Sequence, residues 1–336
     1  MSDERFLIVR LGSLGDIVHT LPAAAALRDT FPSAQIDWVV EAKWRALLEG
    51  NADLNRVIIL DRSRAGSFFS VRRALSESHY ATAIDFQSLY KSAYLARGAR
   101  AKETLGFDWS ASREKLATLL YTRRVHPSGT HKVEHNLSLA EAAGAKRGEP
   151  RFPLPVSTDA EAWAERELRE RNLTDFFVMS PGGGWRSKCW PAERYAQFHR
   201  EIFSRLGWRG VVSFGPGEEN LAKQVLESGA PGDRNRPLLL PMHLTQLMSV
   251  LRRAKFMVAG DTGPLHLAAA LGTPVIGLYG PTDPARNGPY SERAAVVRKA
   301  HPGETSYKRR PSDSAAMLRI EVADVANAVN QLLERR

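Results

Sequence analysis

The sequence predicts an α/β protein of two Rossmann-like domains, each a parallel sheet with helices on both faces, facing each other across a cleft. Three observations carry this. Short apolar strands alternate with amphipathic helical segments along most of the chain, the pattern of parallel strands joined by helical crossovers. The alternation forms two series separated by EPRFPLPVS, residues 149–157, a stretch of linker composition. The length, 336 residues, also exceeds the roughly 250–300 residues that single cores usually reach.

In the first series, Phe6–Arg10, Ile36–Val40, Val57–Leu60 and Thr82–Asp85 read as strands. Ile17–Thr30, Ala42–Glu49, Ser70–Glu77 and Ser88–Arg97 read as helices. The pattern loosens over residues 98–157. The second series has strands at Phe176–Ser180, Gly210–Phe214, Phe256–Ala259 and Val275–Leu278. Its helices are expected at Ala192–Leu206, Glu219–Ser228, Leu244–Arg253 and Pro264–Leu271. Residues 301–318 are polar and expected to be irregular, and Val322–Leu333 reads as a closing helix. The expected domains are residues 1–155 and 156–318. Residues 319–336 form a terminal helix that can pack back toward the first domain.

Composition narrows the function classes. Hydrophobic residues at 43% and charged residues at 25% are ordinary for a soluble globular chain. One cysteine excludes an internal disulfide framework and any cysteine-based zinc cluster. The start, MSDERFLIVRLGSLGD, is unlike a signal peptide, and no run of 18 apolar residues occurs. A cytoplasmic protein is expected. Lys and Arg number 47 against 37 Asp and Glu, a net +10. That excess suits an anionic membrane surface or a phosphorylated substrate, although many basic proteins have no such partner. No nucleic-acid-binding module is recognisable.

The candidate site residues cluster after strands. In GDTGPLHLAAALGTPVIGLYGPTDP, residues 260–284, Asp261, Thr262, Gly263 and His266 open a helix. Unpaired N–H groups and the helix dipole make such a mouth an anion site; His266 also fits a buried core histidine. In RLGSLGDIVHTLPAA, residues 10–24, Gly12 and Gly15 permit close backbone approach, and Asp16 stands at the helix start. Asp16 fits a general base or a helix cap equally well. The loop lacks the GxGxxG spacing of a dinucleotide site, although Glu41 stands about where a ribose-binding acid would. Lys91, in an early helical turn, points to an anion or is simply solvated. In SPGGGWRSKCWPAERYA, residues 180–196, Gly183 and Gly184 offer open backbone and Lys188 a point charge for phosphate. The alternative is a glycine-rich surface loop. Cys189 reads as a bystander. Glu218 and Glu219, in FGPGEEN, could accept from ribose hydroxyls or cap the next helix.

Together these motifs resemble the ADP-heptose:lipopolysaccharide heptosyltransferases of glycosyltransferase family 9. The resemblance rests on GDIVHTLPA (15–23), IDWVVE (36–41), IDFQSLYKSA (84–93), DWSASRE (108–114), KCWP (188–191) and DTGPLHLAAALGTPVIGLYGPTDP (261–284). It runs through most of the chain and is nearest to heptosyltransferase I. It implies a GT-B fold, with the acceptor on the first domain and the nucleotide sugar on the second. It implies inverting transfer without metal or other cofactor, from ADP-L-glycero-β-D-manno-heptose to Kdo of Kdo2-lipid A. The enzyme would be cytoplasmic and peripheral on the inner face of the inner membrane. By matching position, Asp16 would be the general base and Lys188 would neutralise donor phosphate. Gly15, Gly183, Gly184, Glu218, Glu219, Asp261, Thr262, Gly263 and His266 would line the donor site. Arg10, Lys91 and Arg113 would face the acceptor.

Two departures stand out. Arg10 replaces the family's usual Lys, keeping charge but changing donor geometry. The GGGWRS stretch, residues 182–187, differs from the threonine and acidic residues of close relatives, which leaves the donor contacts there open. Heptosyltransferase II or III, or a transferase of another nucleotide sugar, is the alternative within the fold. A Rossmann-type NAD(P) oxidoreductase and a non-catalytic glycolipid binder are the alternatives outside it.

Overall fold

A computed structural model describes residues 4–228, 236–307 and 314–334. The chain divides into two compact units, Met1–Pro155 and Val156–Arg336.

The first unit begins with β1 (Arg5–Val9), α1 (Leu14–Val18), α2 (Leu21–Thr30) and β2 (Gln35–Glu41). A 3₁₀ turn, Ala42–Leu47, leads to β3 (Arg56–Leu60), α3 (Ser67–Ser76), β4 (Thr82–Asp85) and α4 (Tyr90–Gly98). It ends with β5 (Glu103–Phe107), a 3₁₀ turn Lys115–Leu120, β6 (Arg123–Val125) and α5 (Lys132–Ala142). The helix expected over Ile17–Thr30 is broken at His19–Thr20. Pro22 cannot continue a helix from Val18, because it lacks an N–H and clashes with the preceding turn, but it suits the first turn of α2. Asn136 on α5 secures the break by donating to the His19 carbonyl at 2.9 Å and to Thr20 Oγ1 at 3.1 Å.

The second unit contains α6 (Thr158–Glu170), β7 (Phe176–Ser180), α7 (Ala192–Leu206), β8 (Arg209–Val212) and α8 (Glu219–Glu227). Then come β9 (Leu238–Leu239), α9 (Leu244–Arg253), β10 (Met257–Gly260), α10 (Gly263–Ala270) and β11 (Val275–Tyr279). α11 (Pro284–Asn287), β12 (Ala294–Arg298), α12 (Ala315–Leu318) and α13 (Val322–Glu334) complete it. α13 packs on α7, β11 and β12.

Both sheets are parallel throughout and share one topology. The orders are β3-β2-β1-β4-β5-β6 and β12-β11-β10-β7-β8-β9, the second being the first read from its opposite edge. This is the doubly wound Rossmann order. The central strands read as unbroken apolar runs because helices cover both faces; Leu7, Ile8 and Val9 of β1 and Phe176 to Met179 of β7 are buried. In the first unit, α3 and α4 close one face through Leu75, Leu95 and Ala96 against Leu7, Val9 and Val39. In the second, Phe177 stacks on Phe256 at 4.9 Å, and Val325 and Val329 of α13 join the same core.

The region expected to loosen, residues 98–157, holds two strands and a helix. β5 and β6 extend the first sheet toward its edge; β5, ETLGF, is short and interrupted by Gly106, and β6, RRV, is short and charged, which hides the strand pattern. α6, β9 and β12 were likewise not legible as elements. The expected irregular tract 301–318 contains α12, and its residues 308–313 lie outside the described residues.

Candidate functional site

In a doubly wound sheet the chain leaves adjacent central strands in opposite directions, which opens a crevice at their carboxyl ends. In the first unit that point lies between β1 and β4, so the loops at residues 10–13 and 86–89 border it. In the second it lies between β7 and β10, bordered by residues 181–191 and 261–263. Four of the five sequence motifs fall on these loops; the fifth, FGPGEEN (214–220), follows β8.

In the first unit, Ser13 is the N-cap of α1 and Asp16 the third helical residue. Asp16 Oδ2 accepts from the Ser13 N–H at 3.3 Å and from Ser13 Oγ at 3.0 Å. The N-cap is therefore Ser13 and not Asp16, which instead completes a capping box from the third helical position with one of its oxygens. Oδ1 meets Arg10 Nη2 at 2.6 Å. Arg10 is buried, and its Nη1 donates to the Phe86 carbonyl on the loop after β4. The structure thus pairs Arg10 with Asp16 instead of leaving it open at the surface. Burial alone would raise the Asp16 pKa; the Arg10 guanidinium and the two Ser13 donors outweigh it and hold the carboxyl below its ordinary range. Asp16 is an ionised carboxylate, about one-third exposed at 34%, with its orientation fixed.

The loop after β4 is braced from beneath. Gln87 Oε1 accepts from the Leu11 N–H at 2.7 Å. Asp85 is fully buried and accepts from the Gln87 and Ser88 amides, Ser92 Oγ and Tyr121 OH. Burial pushes its pKa up to about 6, against those four hydrogen bonds.

Lys91 does not stand alone. Its Nζ lies 3.7 Å from Glu41, a nearly buried carboxylate that Arg62 at 3.2 Å and Lys43 at 3.7 Å also face. One acid thus gathers three cations at the carboxyl end of β2. Arg113 is exposed, and its loop is tied to the start of α4 by Glu114, whose Oε2 accepts from the Tyr90 N–H at 2.6 Å. Arg62 and Lys43 are members of this cluster that sequence reasoning missed; Glu41 was singled out only as a ribose-binding acid, and the structure instead surrounds it with three cations. Ser13 was readable from its spacing to Asp16, a capping box with aspartate in the third position.

In the second unit, Lys188 ends a 3₁₀ turn, Arg186–Lys188. Its Nζ meets Asp261 Oδ2 at 2.6 Å and stands 4.4 Å from the Trp185 ring centre. Asp261 Oδ1 lies 3.2 Å from His266 Nε2. Burial would raise the Asp261 pKa, but His266 and Lys188 together hold it well below the carboxylate range. Gly260 permits this approach: a Cβ there would sit 2.5 Å from the Lys188 carbonyl oxygen. Trp190 anchors the far side of the loop, its Nε1 donating to the Ile320 carbonyl at 2.8 Å.

Thr262 is the N-cap of α10, and Gly263 its first residue. The Thr262 Oγ1 is buried with no hydrogen-bond partner among the described residues. Lys188, Thr262, His266 and the amino end of α10 therefore converge, and such a mouth stabilises negative charge. Glu218 is the N-cap of α8 by position, but its side chain makes no capping bond to the helix; both acids instead bond the preceding loop, Glu218 accepting from the Gly215 N–H at 2.9 Å and Glu219 from the Gly217 N–H at 3.2 Å. Glu218 also packs into the glycine loop, since a Cβ on Gly182 would lie 2.2 Å from its carboxylate. Gly183 and Gly184 follow on the same loop, and Gly15 lies inside α1 beside Asp16. Burial and Glu218 raise the Cys189 thiol pKa, which keeps it protonated, as a bystander would be. Among the described residues, no three His, Cys, Asp or Glu side chains are grouped as a metal site requires.

Comparison with solved structures defines the class. The fold matches E. coli ADP-heptose lps heptosyltransferase II with a TM-score of 0.82 at 22% identity, covering 98% of this chain and 99% of that one. E. coli heptosyltransferase WaaC with ADP-2-deoxy-2-fluoro heptose matches with a TM-score of 0.73 at 31% identity over 98% and 99% of the two chains. The two Rossmann-like units are those of a GT-B glycosyltransferase. Residues 68–316 match glycosyltransferase family 9 (heptosyltransferase). Lipopolysaccharide heptosyltransferase 1 of Escherichia coli O18:K1:H7 is 32% identical over 98% of this chain and 97% of its own. The chain belongs to glycosyltransferase family 9, the heptosyltransferases.

Proposed function

We propose that this enzyme transfers heptose, with inversion and without a metal, from ADP-L-glycero-β-D-manno-heptose to Kdo of Kdo2-lipid A. The observation that carries the mechanism is Asp16, an ionised, oriented and partly exposed carboxylate at the crevice of the first unit. In this reading Asp16 takes the proton of the acceptor hydroxyl as its oxygen attacks C1 of the heptose. The C1–O bond to ADP breaks on the opposite side, and the electron pair leaves with the phosphate. Lys188, Thr262, His266 and the first amides of α10 stabilise the charge that builds there. Asp261 holds Lys188 and His266 in place for that purpose. Glu218 and Glu219 keep the loop shaped against the nucleoside. The Lys91 cluster and Arg113 receive the acceptor's carboxylates and phosphates.

The relatives' names support this choice of substrates, and so does the structural match titled with an ADP-heptose analogue. The acceptor is lipid-anchored, so the enzyme works at the cytoplasmic face of the membrane that carries it. No helix among the described residues is long and apolar enough to cross that membrane. A panel of nucleotide sugars and acceptors, read by ADP release, tests the assignment. Turnover should be fastest with ADP-heptose and Kdo2-lipid A. Preference for an already heptosylated acceptor would move the assignment to heptosyltransferase II or III.

A further inference from the structure

We infer that the outer face formed by α3, α4 and the 3₁₀ turn Lys115–Leu120 docks the enzyme on an anionic lipid bilayer. The inference rests on the lipid-anchored acceptor proposed above and adds the surface through which it is reached.

Large apolar side chains are exposed here to an unusual degree. Phe69 is 70% exposed, Leu119 67%, Leu116 63%, Trp109 56% and Tyr90 53%. A 3₁₀ turn brings residues three apart into line, so Leu116 and Leu119 project side by side. These positions belong to one connected surface. Phe69 contacts Phe68, Phe68 stacks on Tyr94 and Tyr94 on Tyr90, with ring centres 6.0, 6.0 and 6.4 Å apart. The Tyr90 amide is held by Glu114, and the next residue, Lys115, donates to the carbonyls of Trp109 and Ser110. α4 packs on α3 on one side and on the 3₁₀ turn on the other.

Charge selects the occupant. Residues 62–124 hold twelve Lys and Arg against five Asp and Glu, a net +7 of the chain's +10. Exposed leucines and aromatics bordered by such an excess suit an acidic headgroup layer with acyl chains beneath it. A second copy of this chain would bring the same positive field against itself, and a neutral protein partner would leave the charge unused.

The test is flotation of the full-length protein with vesicles of neutral phosphatidylcholine, with and without phosphatidylglycerol. The protein should float with the anionic vesicles and be released by salt. Leu116→Ser/Leu119→Ser should weaken partitioning by about tenfold or more. Phe69→Ser, at the other end of the face, should weaken it too, whereas Leu318→Ser in the second unit should not. ADP affinity and turnover on detergent-dispersed acceptor should be unchanged in all of them. Equal flotation of wild type and double variant would overturn the inference. So would a wild type that turns over but does not float, or a dimer that the double variant dissociates. Absence of turnover on any heptose acceptor would count against the proposed reaction instead.

Discussion

Replacing Arg10 with methionine, which keeps its length and removes its charge, should move the acidic limb of the pH–rate profile. The guanidinium lies 2.6 Å from Asp16. Two unit charges with centres about 4 Å apart attract by about 4 kcal/mol at an effective dielectric constant near 20. Asp16 is 34% exposed, so solvent screens part of this, and an effect of roughly 1–2 pH units is expected. The direction follows from the causes: burial raises the Asp16 pKa, and Arg10 is the largest of those that lower it. Without Arg10 the base therefore protonates at higher pH. The assay is kcat/KM for ADP release from roughly pH 3 to 9, a range that extends below the ordinary carboxylate value because Asp16 is held beneath it in the wild type. The acidic limb should rise by roughly 1–2 units in Arg10→Met and by much less in Arg10→Lys, which keeps the charge. An unmoved limb in a folded Arg10→Met enzyme would refute the coupling.

Lys188→Met should lower kcat/KM by roughly 10²–10³. It should also destabilise the fold by about 3 kcal/mol by leaving Asp261 less compensated; Lys188→Met/Asp261→Asn should regain most of the stability in chemical denaturation but not the activity. Gly260→Ala places a methyl 2.5 Å from the Lys188 carbonyl, an overpacking expected to cost about 1–3 kcal/mol. It should weaken ADP binding in calorimetry as the Lys188 loop shifts. Asp85 keeps its proton in the folded state up to about pH 6, against an ordinary value of 3.8. Between those values the folded state binds more protons than the unfolded chain, so this group's stabilising contribution falls as pH rises and levels off above pH 6. The loss is about 3 kcal/mol. Denaturant titrations from pH 4 to 7 should show Asp85→Asn lacking that slope.

Periodicity made the central strands legible because they are buried on both faces, and turn glycines marked the loops that follow them. Edge elements were harder. β6 is three residues, RRV, with no apolar run, and β12 is a short AAVV run of small residues between Arg293 and Arg298 that leaves Val296 exposed. α6 has a readable Ser157 cap, but its sequence TDAEAWAERELRE buries only three residues and is dominated by charge. Asp16, Lys188 and the α10 mouth were legible from their positions after strands. The partnerships were not. Arg10 with Asp16 and Lys188 with Asp261 are set by loop geometry, and Glu41 gathers cations from three separate elements.

The central claim is that Asp16 moves the acceptor proton, and Asp16→Asn tests it most directly because the side chain keeps its shape. In single-turnover transfer, ADP-heptose should bind with near-wild-type affinity while the rate falls by roughly 10²–10⁴. Transfer at the wild-type rate would contradict the account.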